Sequence, residues 1–380
     1  MNKKKLSRSG SLQSSVTSVL AALLCILIGL LVGFLVLVAI NPAHAWGDGF
    51  VRIIKGGFYD FPYGVGKTLT QAAPLIMTGL SVAFSFRTGI FNIGAEGQFV
   101  VGAMAAACIG ILLPNLPPVV LIPLCFIGSM LAGAIWGIVV GFLKNKWGIN
   151  EVLSMIMFNW IAFYLSNFIA GIPAIHSDGT AEATKNISAN ASTLLSKDLI
   201  SQLGLCPTAN WGILVALVMT VIVWLVIEKT TLGYRLKAVG ANKFAAEYGG
   251  INVNRSILTA LAISGALAGL GGALHLMGMG GRISIFSSQE GFGFAGIVAA
   301  LIGCSHPFGV FFAGLFYGAL TYGGSKLNLV GAPTQLINVI VGTVVLFIAI
   351  SVVFERLKYV QFKKKPKPAA AQNVKEGTDK

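Results

Sequence analysis

Charge is scarce in this chain. Asp, Glu, Lys and Arg make up 11% of its 380 residues, less than half of the ~25% usual in soluble domains. Hydrophobic residues make up 55%, and the mean hydropathy is +0.81. That much apolar surface cannot be hidden in water, so the solvent it fits is lipid. The same numbers exclude intrinsic disorder, which needs low hydrophobicity and high net charge. Cysteine is sparse at five, which excludes a small disulfide-held secreted scaffold. Most of the cysteines lie in apolar runs, where they act as small hydrophobes. The four histidines (His44, His176, His275, His306) are scattered, without metal-ligand spacing. No Gly-x-Ser-x-Gly elbow or nucleophile–base cluster is present. Gly64-Val-Gly66-Lys67-Thr68 matches only the end of a phosphate-binding loop, because the glycine needed five residues before Gly66 is Phe61. The chain shows no means of using ATP itself, and no cofactor is expected on it.

The charge that is present is unevenly placed. The net charge is +14, and residues 1–18 and 355–380 hold +9 of it. No aromatic residues alternate with Lys363, Lys364, Lys365 and Lys367, as a nucleic-acid stacking platform would require. These ends read instead as basic cytoplasmic segments beside anionic lipid, with no nucleic-acid partner.

A membrane helix needs ~20 apolar residues to cross ~30 Å of hydrocarbon. Apolar runs fall at 19–40, 68–86, 98–113, 118–143, 152–172, 211–227, 257–277, 293–303, 307–320 and 334–354. The expected architecture is an all-α membrane protein with a transmembrane domain over 19–354. The runs at 98–113, 293–303 and 307–320 are short and Gly-rich, which predicts broken or re-entrant helices around a cavity. Ten crossings put both ends on one side. With that side cytoplasmic, inside segments hold 20 Lys and Arg and outside segments hold 7, the bias expected of cytoplasmic loops.

A weak internal repeat stands out. Arg87, Phe91, Glu96-Gly97, Gly102 and Ala105-Ala106 recur as Arg282, Phe286, Glu290-Gly291, Gly296 and Ala299-Ala300. In the topology above, the helix after Glu96 runs outward and the helix after Glu290 runs inward, an inverted repeat with the pathway between its halves. A charge within the bilayer costs at least ~2.5–3.5 kcal/mol on insertion scales, so each must face a cavity or a partner. Either Arg87–Glu96 and Arg282–Glu290 pair locally and tie broken helix ends together, or they line the path. Asn159-Trp160 interrupts an apolar helix on the broad face that holds Glu151, Met155 and Ser166. It reads either as an interhelical hydrogen bond or as a polar and aromatic lining.

The segment 228–256 is the longest inside connection before the tail. Asn242 predicts a cap for a short helix over Lys243–Tyr248, and Gly249-Gly250 end it. The result is a compact knob at the membrane surface, suited either to a groove on another protein or to lipid headgroups.

Four stretches carry a family resemblance. Gly79–Gln98, with Arg87-Thr-Gly-Ile-Phe91-Asn92-Ile-Gly-Ala-Glu96-Gly97-Gln98, resembles the signature of permease subunits of nucleoside ABC importers. Glu151–Trp160 is similar to a second stretch of that group, Gly233–Asn242 with Ala245–Gly249 to its ATPase-coupling loop, and Gly291–Gly303 to its late motif. The resemblance covers about residues 68–350, and the nucleoside group is related to the ribose and branched-chain amino-acid permeases. It implies a type II importer permease in the cell membrane that moves nucleosides by alternating access. It also implies a second homologous permease subunit, a cytoplasmic ABC ATPase that uses ATP and Mg, and an extracellular solute-binding lipoprotein. The candidate pathway residues are then Phe91, Asn92, Glu96, Gln98, Asn159, Trp160, Glu290 and Phe292. The candidate coupling residues are Gly240, Asn242, Lys243, Ala245, Ala246, Glu247 and Gly249. The alternative is an ion-gradient-driven secondary transporter in which Glu96, Glu151 and Glu290 relay protons.

Overall fold

The computed structural model describes residues 23–179, 182–285 and 289–363. The basic segment 1–18, Phe286 of the repeat and the lysine-rich end from 364 onward lie outside the described residues. Ten helices carry the ten predicted apolar runs: α1 (Leu23–Ile40), α2 (Tyr63–Phe86), α3 (Ala95–Leu112), α4 (Pro118–Trp147), α5 (Glu151–Ala170), α6 (Gly212–Lys229), then, beyond two short helices, α9 (Val253–His275), α10 (Phe292–Ile302), α11 (Pro307–Ser325) and α12 (Leu336–Lys363). The short pair is α7 (Thr231–Ala241) and α8 (Lys243–Tyr248). Seven of them, α1–α6 and α9 with its extension to Gly280, are long and apolar enough to cross a membrane.

The expectation of three short segments needs correction. α3 has 18 residues and α11 has 19, because Ala95 to Gly97 and Thr321 to Ser325 extend each helix past its apolar run. Only α10 is short. Its 11 residues rise about 16 Å, half of a bilayer's hydrocarbon.

Burial sets the layers. In α2 and α9, 83% and 72% of the apolar window is buried, against 22% in α1 and α4. α9 packs against α2, α3 and α4, while α2 also receives α10 and α11. Small residues allow this closeness: a Cβ on Gly265 of α9 would strike the Gly133 backbone of α4. The rim helices turn large apolar side chains outward, such as Leu27, Leu31 and Leu35 on α1 and Ile127, Leu131 and Ile135 on α4. Such a surface is stable only against lipid or another apolar chain.

Contacts between connections define two faces. On one, Ser188 Oγ donates to Pro114 O at 3.1 Å, Thr193 N to Met277 O at 3.1 Å, Thr70 Oγ1 to Thr208 O at 3.0 Å and Tyr322 OH to Asp60 Oδ2 at 2.9 Å. On the other, Asn145 Nδ2 donates to Asn254 O at 2.9 Å and Arg87 Nε to Ser305 O at 3.2 Å. Lys144 pairs with Glu151 on this second face. The grouping matches the split of connections predicted from the ten runs.

The same contacts give the repeat its sense. The first turns of α3 and α10 touch at Glu96 and Gly293. From there α3 runs to Gly110, which meets Ile187 and Ala191 on the first face. α10 runs to the turn at Ser305, which meets Arg87 on the second. The two repeats are antiparallel.

Candidate translocation site

The link between α2 and α3 is held by a buried polar knot. Asn92 Nδ2 donates to Ser264 Oγ at 2.6 Å and to Gln98 Oε1 at 2.9 Å. Ser264 Oγ in turn donates to Ser81 O at 2.8 Å. All four residues are buried, so unpairing any one leaves polar groups without water, at roughly 1–3 kcal/mol each. Asn159 adds the tie to α5. Its Oδ1 accepts from Gly97 N at 2.9 Å, and its Nδ2 donates to Ile93 O at 3.0 Å. The link is thereby fixed on three sides, and α3 starts at a defined place.

That place puts the fully buried Glu96 against α10. Its Oε1 accepts from Gly291 N at 2.7 Å and its Oε2 from Gly293 N at 2.6 Å. The carboxylate thus closes the N-terminus of α10, where unpaired N–H groups and the helix dipole favour negative charge. Gly291 has φ +86, and a Cβ on Gly293 would strike the Glu96 backbone. Both glycines are needed for the approach.

The expected local Arg–Glu pairs do not form among the described residues. Arg87 donates instead to Ser305 O, and Glu96 takes the α10 N–H groups. Glu290 faces His275 instead, with Nε2 at 3.6 Å from Oε2. Arg87 and Glu96 bridge the two halves of the chain, while Glu290 meets a neighbour in its own half.

Beside this junction lies a cavity of about 220 Å³. Its walls come from α3 (Phe99, Ala103), α5 (Phe163, Ser166, Asn167), the end of α9 (His275) and the following segment (Arg282, Glu290). The end of α9 is a π-helical turn, Leu276–Gly280, a local widening common at functional sites. Phe292 stacks on Phe99 at 5.3 Å and meets the His275 ring at 4.5 Å. A second cavity of about 510 Å³ lies between α2, α10, α11 and α12, and Glu290 lines both. Backbone pairing adjoins the first cavity at Ile283 and Ser284: Thr184 N donates to Ile283 O and Ile285 N to Glu182 O, each at 2.8 Å.

The predicted pathway residues fall into three groups. Glu96, Glu290 and Phe292 meet at this junction. Asn92, Gln98 and Asn159 lie buried beneath it, their polar atoms engaged within the chain. Phe91 and Trp160 are elsewhere: Phe91 stacks on Phe86 at 5.2 Å, and Trp160 is 42% exposed on α5, beside Tyr164 at 6.2 Å.

The second face carries the knob. Asn242 Oδ1 accepts from Ala245 N at 3.0 Å, capping α8 as predicted, and Gly249 follows Tyr248. Lys243 and Glu247 are exposed and Ala246 is the buried residue of α8. Phe244 and Tyr248 stand out at 84% and 99% exposure. The stretch before it is an 11-residue helix, α7, not a loop, because Thr230 Oγ1 accepts from Gly233 N at 3.2 Å and starts it. Tyr234, Ala238, Asn242, Ala245 and Gly249 line a groove of about 470 Å³ between α7 and α8. Gly240 lies so close to the Arg87 carbonyl that a Cβ would collide.

Residues 64–349 match the family described as the permease component of the branched-chain amino acid transport system. The chain belongs to this permease family. The permease is 35% identical over 335 residues to the guanosine ABC transporter permease NupP of Bacillus subtilis, covering 88% of this chain and 93% of that one. It is 34% identical to the nucleoside ABC transporter permease NupB of Lactococcus lactis over 83% of this chain and 85% of that one. It is 33% identical to the glucose ABC transporter permease TsgB13 of Haloferax volcanii, with 85% and 84% covered. It is a transport component and a multi-pass protein of the cell membrane.

Sequence reasoning passed over His275, Phe99 and Phe163 in this permease. His275 lacks metal-ligand company, and the two phenylalanines read as ordinary apolar helix residues. The one available signal was a histidine in an apolar helix, an ionisable group that membrane burial makes costly.

Proposed function

We propose that this permease moves nucleosides into the cell by alternating access, as the membrane subunit of an ATP-driven importer. The observation that carries the reading is its identity of 34–35%, over more than four fifths of its length, to two permeases named for guanosine and nucleoside transport. All three relatives above are named as ABC transporter permeases, which favours ATP over an ion gradient as the energy source.

The geometry supplies the parts. The groove beside α8 and its exposed Phe244 and Tyr248 suit a cytoplasmic ABC ATPase, which would hold the ATP and Mg. That assignment and the basic-residue bias both favour cytoplasmic termini. The opposite face would receive an extracellular solute-binding lipoprotein. The apolar outer surface of α5 suits a second, homologous permease subunit. Motion at α8 passes through Gly240 to Arg87, through Ser305 to α10, and so to Glu96, Glu290 and Phe292. Trp160 and its neighbour Tyr164 offer aromatic faces to a base where two permeases meet.

The test is co-expression with candidate ATPase, second-permease and binding-protein subunits, followed by co-purification and reconstitution. ATP-dependent uptake of labelled nucleoside that excess glucose leaves unchanged supports the reading. Uptake of glucose with no uptake of nucleoside replaces it with the sugar reading that the third relative offers.

A further inference from the structure

The cavity beside the repeat junction holds polar atoms that the fold leaves without partners. Glu290 Oε2 and His275 Nδ1 are buried and accept or donate no hydrogen bond among the described residues. Oε2 stands 3.6 Å from His275 Nε2, too far for a good hydrogen bond. Glu96, by contrast, is fully satisfied by Gly291 and Gly293. An unpaired carboxylate oxygen in apolar surroundings is costly, and a protein keeps one where a ligand completes it.

The rest of the cavity says what such a ligand looks like. Phe99, Phe163 and the His275 ring give it flat apolar walls, which suit a π-face. Its volume of about 220 Å³ is below the ~300–1,000 Å³ of clefts that take drug-sized molecules, so it admits one ring system and not an extended solute. Ser166 supplies a neutral polar group on the α5 side. When ionised, Glu290 accepts only, and the matching ring system carries N–H donors on one edge. An N–H edge such as that of the six-membered ring of guanine matches the unpaired Glu290 Oε2.

We propose that this cavity is a base-recognition subsite, in which Glu290 accepts the N–H donors of a guanine-type purine base held between aromatic walls. The inference rests on the nucleoside reading above and names the part of the solute that this chain reads. Its position beside the Glu96 cap of α10 couples occupancy to the helix that leads to the coupling face. The backbone pairing of 182–185 with 283–285 borders the site at Ile283 and Ser284.

Two solutes with the same ribose separate base reading from ribose reading. Guanosine presents N–H donors on its base, and purine riboside presents none. Uptake of each is measured in proteoliposomes holding the full complex, for wild type and Glu290→Gln, normalised to complex assembled and to ATPase rate. The expected result is that guanosine uptake falls about tenfold or more beyond any fall for purine riboside, since a hydrogen bond to a charged group is worth at least that factor. An equal loss for both, or no loss for either, overturns the subsite. Failure of wild type to carry either solute overturns the nucleoside reading itself, and the subsite with it. Ala103→Leu fills the same cavity from α3 without touching the polar pair. It should cut uptake of both solutes while the complex still assembles, and wild-type uptake in that variant contradicts the proposal independently.

Discussion

Glu96 Oε2 accepts the backbone N–H of Gly293 at 2.6 Å, and this bond joins residues 197 positions apart across the two repeats. With the matching bond from Gly291 it makes one carboxylate the cap of a half-length helix. A neutral amide cannot accept from both N–H groups, since its –NH2 end donates. Glu96→Gln is therefore expected to orphan one buried N–H, weakening the junction by roughly 1–3 kcal/mol. Transport should fall about tenfold while capture of solute by the extracellular protein is unchanged. A wild-type rate in reconstituted vesicles would show the charge to be dispensable.

Gly293 tests the same contact from the other side. A Cβ there meets the Glu96 backbone, and backbone cannot step aside as a flexible side chain does. Gly293→Val should lower the thermal midpoint of the purified complex and reduce transport, at an overpacking cost of about 1–3 kcal/mol. Unchanged melting and transport would mean that the two first turns do not touch.

The groove between α7 and α8 gives a prediction at the opposite end of the permease. Ala245 and Gly249 line it, and neither is held in a left-handed conformation, so large substitutions there change the surface and not the backbone. Ala245→Arg or Gly249→Trp should abolish uptake while the chain still inserts and melts normally. Loss of co-purified ATPase is the expected cause. Retention of both ATPase and uptake would remove the groove from the coupling interface.

Trp160 is exposed on α5 with Tyr164 beside it. If this pair faces solute, Trp160→Ala should reduce nucleoside flux several-fold, with Trp160→Phe keeping more of it, since one aromatic stack is worth ~1–3 kcal/mol. Equal flux in all three forms, or an equal loss through failed assembly, assigns the side chain to packing.

The parts of this architecture that follow from local chemistry could be read in advance. Apolar runs located the ten apolar helices, α10 included, and Asn242 with Gly249 placed the ends of α8, because caps and hydropathy act over a few residues. The matched Arg, Glu and Gly positions showed the repeat. What local chemistry does not encode is which distant group answers a buried charge. Arg87 and Glu96 look like a pair nine residues apart, yet each finds its partner more than 190 positions away. Asn159 announced itself as polar in an apolar helix, but its engagement with Ile93 and Gly97 depends on tertiary packing. His275 became visible only when the end of α9 brought it beside Glu290 and Phe292.

The most direct measurement is uptake of radiolabelled guanosine by proteoliposomes that contain this permease with its co-purified partners and the solute-binding protein. Accumulation that requires internal or external ATP on the ATPase side, survives an uncoupler and is competed by other nucleosides is the predicted result. Accumulation that an uncoupler abolishes at constant ATP, or no accumulation of any nucleoside while another solute is carried, would contradict the account.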